Sequence, residues 1–188
     1  MSENNRVDPT VTSLFLVGFV TLLVGISGLL AYNAHSSVEA GVTFGTALGG
    51  AAHVISGLAI VMLVLAYMAA RCGNAFAVAL FSYIAISFYL TAWSGASGDG
   101  AQILFAIVGV FYAVFALVAL LIKAPKLLVV LLVLVAIMYI FFGLFAQASA
   151  GTDTFKNMGL LYGVFALLSS IVATYMAIGL ATEKLPVP

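Results

Sequence analysis

The chain is written as long apolar runs separated by short polar ones. Six stretches, 11–32, 39–70, 74–94, 101–122, 127–148 and 158–181, each hold the roughly 20 apolar residues that a bilayer-spanning helix needs. The second run is longer than a span requires at about 1.5 Å per residue. It is therefore expected to tilt, to kink near Gly49-Gly50, or to project beyond the membrane. Charged residues fall almost wholly between the runs. If the N-terminus lies inside, Arg6, Arg71, Lys123, Lys126 and Lys184 all fall on the cytoplasmic side, and only Lys156, with Glu39, Asp99 and Asp153, falls outside. Basic residues are retained on the cytoplasmic side of membranes, so this alternation sets the orientation. The expected fold is an all-α integral membrane bundle of six transmembrane helices. It carries a cytoplasmic N-terminal tail over 1–10, the membrane domain over 11–182 and a cytoplasmic C-terminal tail over 183–188.

Composition sharpens this picture. The 188 residues are 65% hydrophobic and 6% charged, and the mean hydropathy is +1.28. A soluble domain carries about 25% charged residues, and none of this size could hide so much apolar surface. The apolar run after Thr10 reads as a span rather than a cleaved leader. A net charge of zero argues against nucleic acid as a partner. The single Cys72 permits no disulfide within the chain, and no spacing suits a metal. No Ser-His-Asp set or histidine cluster suggests an enzyme, and no cofactor is expected.

The candidate chemistry is therefore neutral and small. No span carries Asp, Glu, Lys or Arg at its centre, so the carboxylate relay of a strongly ion-coupled pump is missing. His53 follows Gly49, Gly50, Ala51 and Ala52, a seam that another helix can approach closely. A histidine there is expected to face neighbouring helices or a cavity, and its side chain titrates near pH 6.5 when unperturbed. The expected solute path places Asn33 near the outer mouth, with His53, Ser56, Thr21, Ser82 and Tyr83 along the middle. Trp93 and Tyr89 read as interface anchors. Tyr83, Tyr112, Tyr139, Tyr162 and Tyr175 each need a hydroxyl partner if buried.

Several short motifs, in order along the chain, resemble the acetate/succinate transporter family. Asp8-Pro9-Thr10 followed by Leu14-Phe15-Leu16-Val17-Gly18-Phe19 is similar to that family's signature at its first helix. Gly49-Gly50-Ala51-Ala52-His53 is similar to its Gly-Gly-x-x-Gln, with histidine in place of glutamine. Gly73-Asn74-Ala75-Phe76 and Phe81-Ser82-Tyr83 resemble its entry into helix three. Tyr175-Met176-Ala177-Ile178-Gly179 and Glu183-Lys184-Leu185-Pro186 resemble its last helix and tail.

The resemblance implies a hexameric ring of six-helix protomers in the cell inner (plasma) membrane. Each protomer would pass acetate and other small monocarboxylates, with succinate in some members, by proton-linked or channel-like transport. The family narrows at residues on helices one, three and five. Tyr83 matches the second of these by position, Val17 with Phe19 nearby stands for the first, and Val135 or its neighbour Leu134 stands for the third. The implied partners are a small carboxylate, protons, membrane lipid and further copies of the chain. Two other readings suit the same residues: a urea, amide or ammonia channel, and a non-transporting membrane assembly protein.

Overall fold

A computed structural model describes residues 9–33, 37–93, 100–148 and 152–182. Within these, the side chains of 37–50, 100–102 and 147 are not described. The chain forms six helices: α1 (Pro9–Asn33), α2 (Ser37–Arg71), α3 (Ala75–Trp93), α4 (Gly100–Leu121), α5 (Lys126–Gln147) and α6 (Asp153–Thr182). All six are long and apolar enough to cross a membrane. The protein is thus a multi-pass helical membrane protein, and its outer surface agrees. Large apolar side chains such as Ile60, Tyr67, Leu117 and Leu121 stand exposed on α2 and α4, a face that suits hydrocarbon and not water. α2 runs helical through Gly49-Gly50. Its 35 residues extend about 52 Å, well beyond the roughly 30 Å of a hydrocarbon core.

Small residues hold the helix pairs together. α1 packs along α6 through Gly18, Gly25 and Gly28 on one side and Gly159 and Gly163 on the other. A Cβ added at Gly28 would stand 2.7 Å from the Gly159 carbonyl oxygen and 2.9 Å from the Tyr162 ring. Only hydrogen fits between those two backbones. The Ser170 hydroxyl crosses the same seam and donates to the Gly18 carbonyl at 2.7 Å. Higher up, the Ser27 and Tyr162 hydroxyls meet at 3.1 Å. α4 packs on α5 in the same way, with Gly109 against the Ala136 carbonyl.

α3 and α4 are joined differently, through rings. The Tyr83 hydroxyl reaches across to the Val108 carbonyl at 3.1 Å. Its ring lies against Phe111, Tyr112 and Phe115 of α4 at centroid distances of 5.5, 5.1 and 5.4 Å. Aromatic spacers keep these two backbones apart while the glycine seams draw α1 to α6 and α4 to α5.

The two described turns at one end of the bundle share one design. After α2, Gly73 takes φ +75, and the amides of Gly73 and Asn74 turn back to the carbonyls of Ala70 and Ala69. Asn74 then caps α3, its Oδ1 accepting the Ala77 amide at 3.0 Å. The Gly73-Asn74 pair therefore ends one helix and starts the next. After α4, Lys123 takes the left-handed position with φ 58. Ala124 returns its amide to Ala119, and Pro125 starts α5.

Gly28→Leu should overpack the α1–α6 seam and cost at least the typical 1–3 kcal/mol of such changes, read as a lower thermal transition in detergent. Gly57→Ala meets nothing within 4 Å. It should hold or raise that transition, because alanine favours helix over glycine by up to about 1 kcal/mol.

Candidate functional site

Packing five of the helices around side chains of unequal size leaves a central cavity of about 330 Å³. Its walls come chiefly from α1, α3 and α5, with Tyr112 of α4, Ile122 of the turn after it, and Met176 and Leu180 of α6. The lining advances in register on the three main helices. On α1 it runs from Thr10 through Ser13, Val17 and Thr21 to Val24. On α3 it runs from the capping Asn74 through Ala77, Leu80, Ile84 and Phe88 to Thr91. On α5 it runs from the preceding Pro125 through Leu128, Leu131 and Val135 to Tyr139 and Phe142. At about 1.5 Å per residue, Asn74 to Thr91 and Pro125 to Phe142 each cover about 25 Å. That is most of the roughly 30 Å of a hydrocarbon core.

The two ends of the cavity differ. At one end the lining includes Asn74, Ile122, Pro125 and Leu180, all exposed, so the cavity reaches the surface. Lys123 and Lys126 are exposed beside this mouth. The other end is shut by rings. Phe142 packs on Phe105 at 4.5 Å and on Tyr162 at 5.2 Å, and Phe145 packs on Tyr162 at 5.2 Å and on Phe155 at 4.3 Å. The space is a blind tunnel, open at the turns of Gly73-Asn74 and Lys123-Pro125.

At its closed end lies a cluster of hydroxyls. Ser87 and Thr91 sit one turn apart on α3, and both side chains bond back to their own helix. The Ser87 hydroxyl donates to the Tyr83 carbonyl at 2.9 Å and the Thr91 hydroxyl to the Ser87 carbonyl at 2.7 Å. Tyr112 of α4 donates to Ser87 Oγ at 3.1 Å. The Tyr139 hydroxyl of α5 stands 3.1 Å from Thr91 Oγ1 and 3.5 Å from the Ser87 carbonyl. The Tyr112 and Tyr139 rings stack at 5.5 Å, only 9° from parallel. Three helices thus converge on one polar patch at the end of a mostly apolar tube, whose other polar lining residues are Thr10, Ser13, Thr21 and Asn74. Among the described residues, no buried side-chain nitrogen or oxygen lacks a hydrogen-bond partner, and no Asp, Glu, Lys, Arg or His lines the tunnel.

The expected site residues divide among several places. Val17, Thr21 and Val135 line the tunnel. Phe19 is 46% exposed on the outer face of α1, because it lies two residues from Val17 and so on the other side of the helix. Leu134 is half-buried beside the tunnel without lining it, and Ser82 is half-buried on α3. Tyr83 turns to α4 and acts there as a spacer. Ser56 lines a separate, shallow groove between α2 and α3, with Ile60, Ile86 and Tyr89. Asn33 is exposed at the far end of α1. His53 is exposed on α2, about 27 Å along the helix from Arg71, and faces away from the tunnel. Of the small-residue seam before it, Ala51 and Ala52 are half-buried, and Gly49 and Gly50 lie outside the described side chains. The residues that the sequence reading did not gather are Ser87, Thr91, Tyr112 and Tyr139. The i, i+4 spacing of Ser87 and Thr91 was the available signal, since it puts two hydroxyls on one face of α3.

No family model, curated protein or solved structure matches this chain.

The cluster can be tested as a unit. Tyr112→Phe and Ser87→Ala should each cost about 1 kcal/mol, because each removes the same hydrogen bond. The double variant should cost less than the sum, with a coupling of at least about 0.5 kcal/mol read from denaturation midpoints.

Proposed function

We propose that the protein is a membrane transporter or channel for acetate and other small monocarboxylates. The observation that carries this reading is the hydroxyl-ended tunnel between α1, α3 and α5. These are the three helices on which the resemblance to the acetate/succinate transporter family places the narrowest point. The tunnel's volume of about 330 Å³ sits at the lower end of the roughly 300–1,000 Å³ range of small-molecule sites. Its apolar wall suits a methyl or ethyl group, and its closed end offers oxygen partners to one polar head.

The tunnel and the ring plug together suit alternating access. One end is open, and the other is held by Phe142, Phe145, Phe105 and Tyr162. Aromatic closure excludes water and ions until the rings shift. In the orientation set by the basic residues, the open mouth faces the cytoplasm, beside Lys123 and Lys126, and the protein resides in the cell membrane. A homo-hexameric ring follows from the same resemblance. The described stretch Ala51–Arg71 of α2 supports it as the least covered of the six spans, with Gly57 and His53 on its exposed side. Glycine and histidine suit a neighbouring protomer better than lipid.

The uncharged lining also favours a second reading, a channel for small neutral amides, urea or ammonia. Uptake of labelled acetate into proteoliposomes, corrected for empty liposomes, tests the first. Acetate and formate should compete and urea should not. Val135→Trp fills the tunnel midway and should reduce protein-dependent uptake by at least tenfold while the chain still folds and inserts. Swelling in urea without carboxylate competition would move the assignment to the neutral-solute channel. Silence in both assays would leave a non-transporting assembly role.

A further inference from the structure

We infer that the tunnel receives its carboxylic acid in the neutral, protonated form, with the acid O–H donating to the phenolic oxygens of Tyr112 and Tyr139. This rests on the reading of the tunnel as a monocarboxylate site, and it names the species bound there.

The inference follows from counting protons at the closed end. Each hydroxyl has one hydrogen to give. Ser87 gives its hydrogen to the Tyr83 carbonyl and Thr91 to the Ser87 carbonyl. Tyr112 gives its hydrogen to Ser87 Oγ. Because Thr91 has already donated, the bond between Thr91 and Tyr139 takes its proton from Tyr139. The wall nearer the mouth repeats the pattern. Thr21 donates to the Val17 carbonyl at 2.7 Å and Ser13 to the Thr10 carbonyl at 2.8 Å.

The hydroxyl protons of these wall residues are thus spent inside the protein. What Tyr112 and Tyr139 present to the tunnel is acceptor lone pairs. A carboxylate anion is an acceptor alone and meets oxygens that are also acceptors. Lys123 and Lys126 stand outside the mouth, and no cation lines the described wall to offset the cost of bringing a charge into it. A protonated acid brings the missing donor. To bind the anion instead, Tyr112 or Tyr139 would have to turn its hydrogen inward and abandon a bond that it now makes.

This explains how transport can be proton-linked in spans without a central carboxylate. The acid is protonated in the water on one side, crosses as RCOOH, and releases the proton on the other side. One proton then travels with each acid, and no protein group needs to relay it.

The test compares three small ligands: acetate, acetamide and methyl acetate. Binding is read by ligand-observed NMR on the full chain in lipid nanodiscs at pH 5, 6 and 7, with empty nanodiscs subtracted. Free carboxyls titrate at about 4 to 5. The apparent affinity for total acetate should therefore fall by about tenfold per pH unit. Acetamide carries a permanent donor and should bind with the same affinity at all three values. Methyl acetate has no donor and should bind at least tenfold more weakly than acetamide. The double variant Tyr112→Phe/Tyr139→Phe should weaken acetamide and low-pH acetate alike.

An acetate affinity that stays flat or rises from pH 5 to 7 would overturn the inference and leave the monocarboxylate reading intact. Equal binding of methyl acetate and acetamide would also overturn it. An acetamide affinity that itself moves with pH would assign the titration to the protein, against the inference. If none of the three binds, the monocarboxylate reading falls with it.

Discussion

How closely two helices can approach is set by the side chains between them, and the rest of this structure depends on the contrast it exploits. Along α1–α6 the backbones touch, because Gly28 offers only hydrogen to the Gly159 carbonyl. Along α4–α5 Gly109 does the same against Ala136. Between α3 and α4 the spacing is set by Tyr83 lodged among Phe111, Tyr112 and Phe115. A ring of helices drawn tight on some sides and propped open on another does not close on its axis. The tunnel is the space left over, and its walls are the α1, α3 and α5 faces that no partner fills.

A second constraint acts on that space. In hydrocarbon, a hydroxyl without a partner is costly, so serines and threonines in membrane helices bond to the carbonyl one turn back. Ser13, Thr21, Ser87 and Thr91 all do so. The habit that makes each residue tolerable in a helix also fixes the polarity of the tunnel. Along the tunnel it turns Ser13, Thr21 and Thr91, groups able to both give and accept, into acceptors. Stability and selectivity thus share one cause, and the tyrosines extend it from α3 to α4 and α5.

The turns at the mouth show a related economy. Gly73-Asn74 ends α2 with a left-handed residue and caps α3 with the next side chain. Asn74 also lines the opening. The α4–α5 turn reaches the same shape with Lys123 at the left-handed position and places Pro125 at the rim. The mouth is therefore built of short, hydrogen-bonded hairpin turns.

Much of the fold was legible from the chain alone. The length and polarity of each apolar run are local properties, and they specified six helices and their order, because any such segment must satisfy its own backbone inside a membrane. Which faces meet was not legible. Near-uniform apolarity around a membrane helix removes the contrast that marks an inner face in a soluble protein. Val17 and Phe19 looked equivalent in the sequence, yet one lines the tunnel and the other is exposed. His53 was the most conspicuous polar residue in any span, and packing left it exposed on α2. Ser87, Thr91, Tyr112 and Tyr139 were ordinary hydroxyls scattered over three runs until the separation of α3 from α4 brought them within hydrogen-bond reach. The sequence by itself determined that the chain would cross a membrane as helices, since hydropathy and length are carried within each segment. Only the tertiary structure decided where the hollow lies and which oxygens face it, because those depend on side-chain sizes met across helices far apart in the chain.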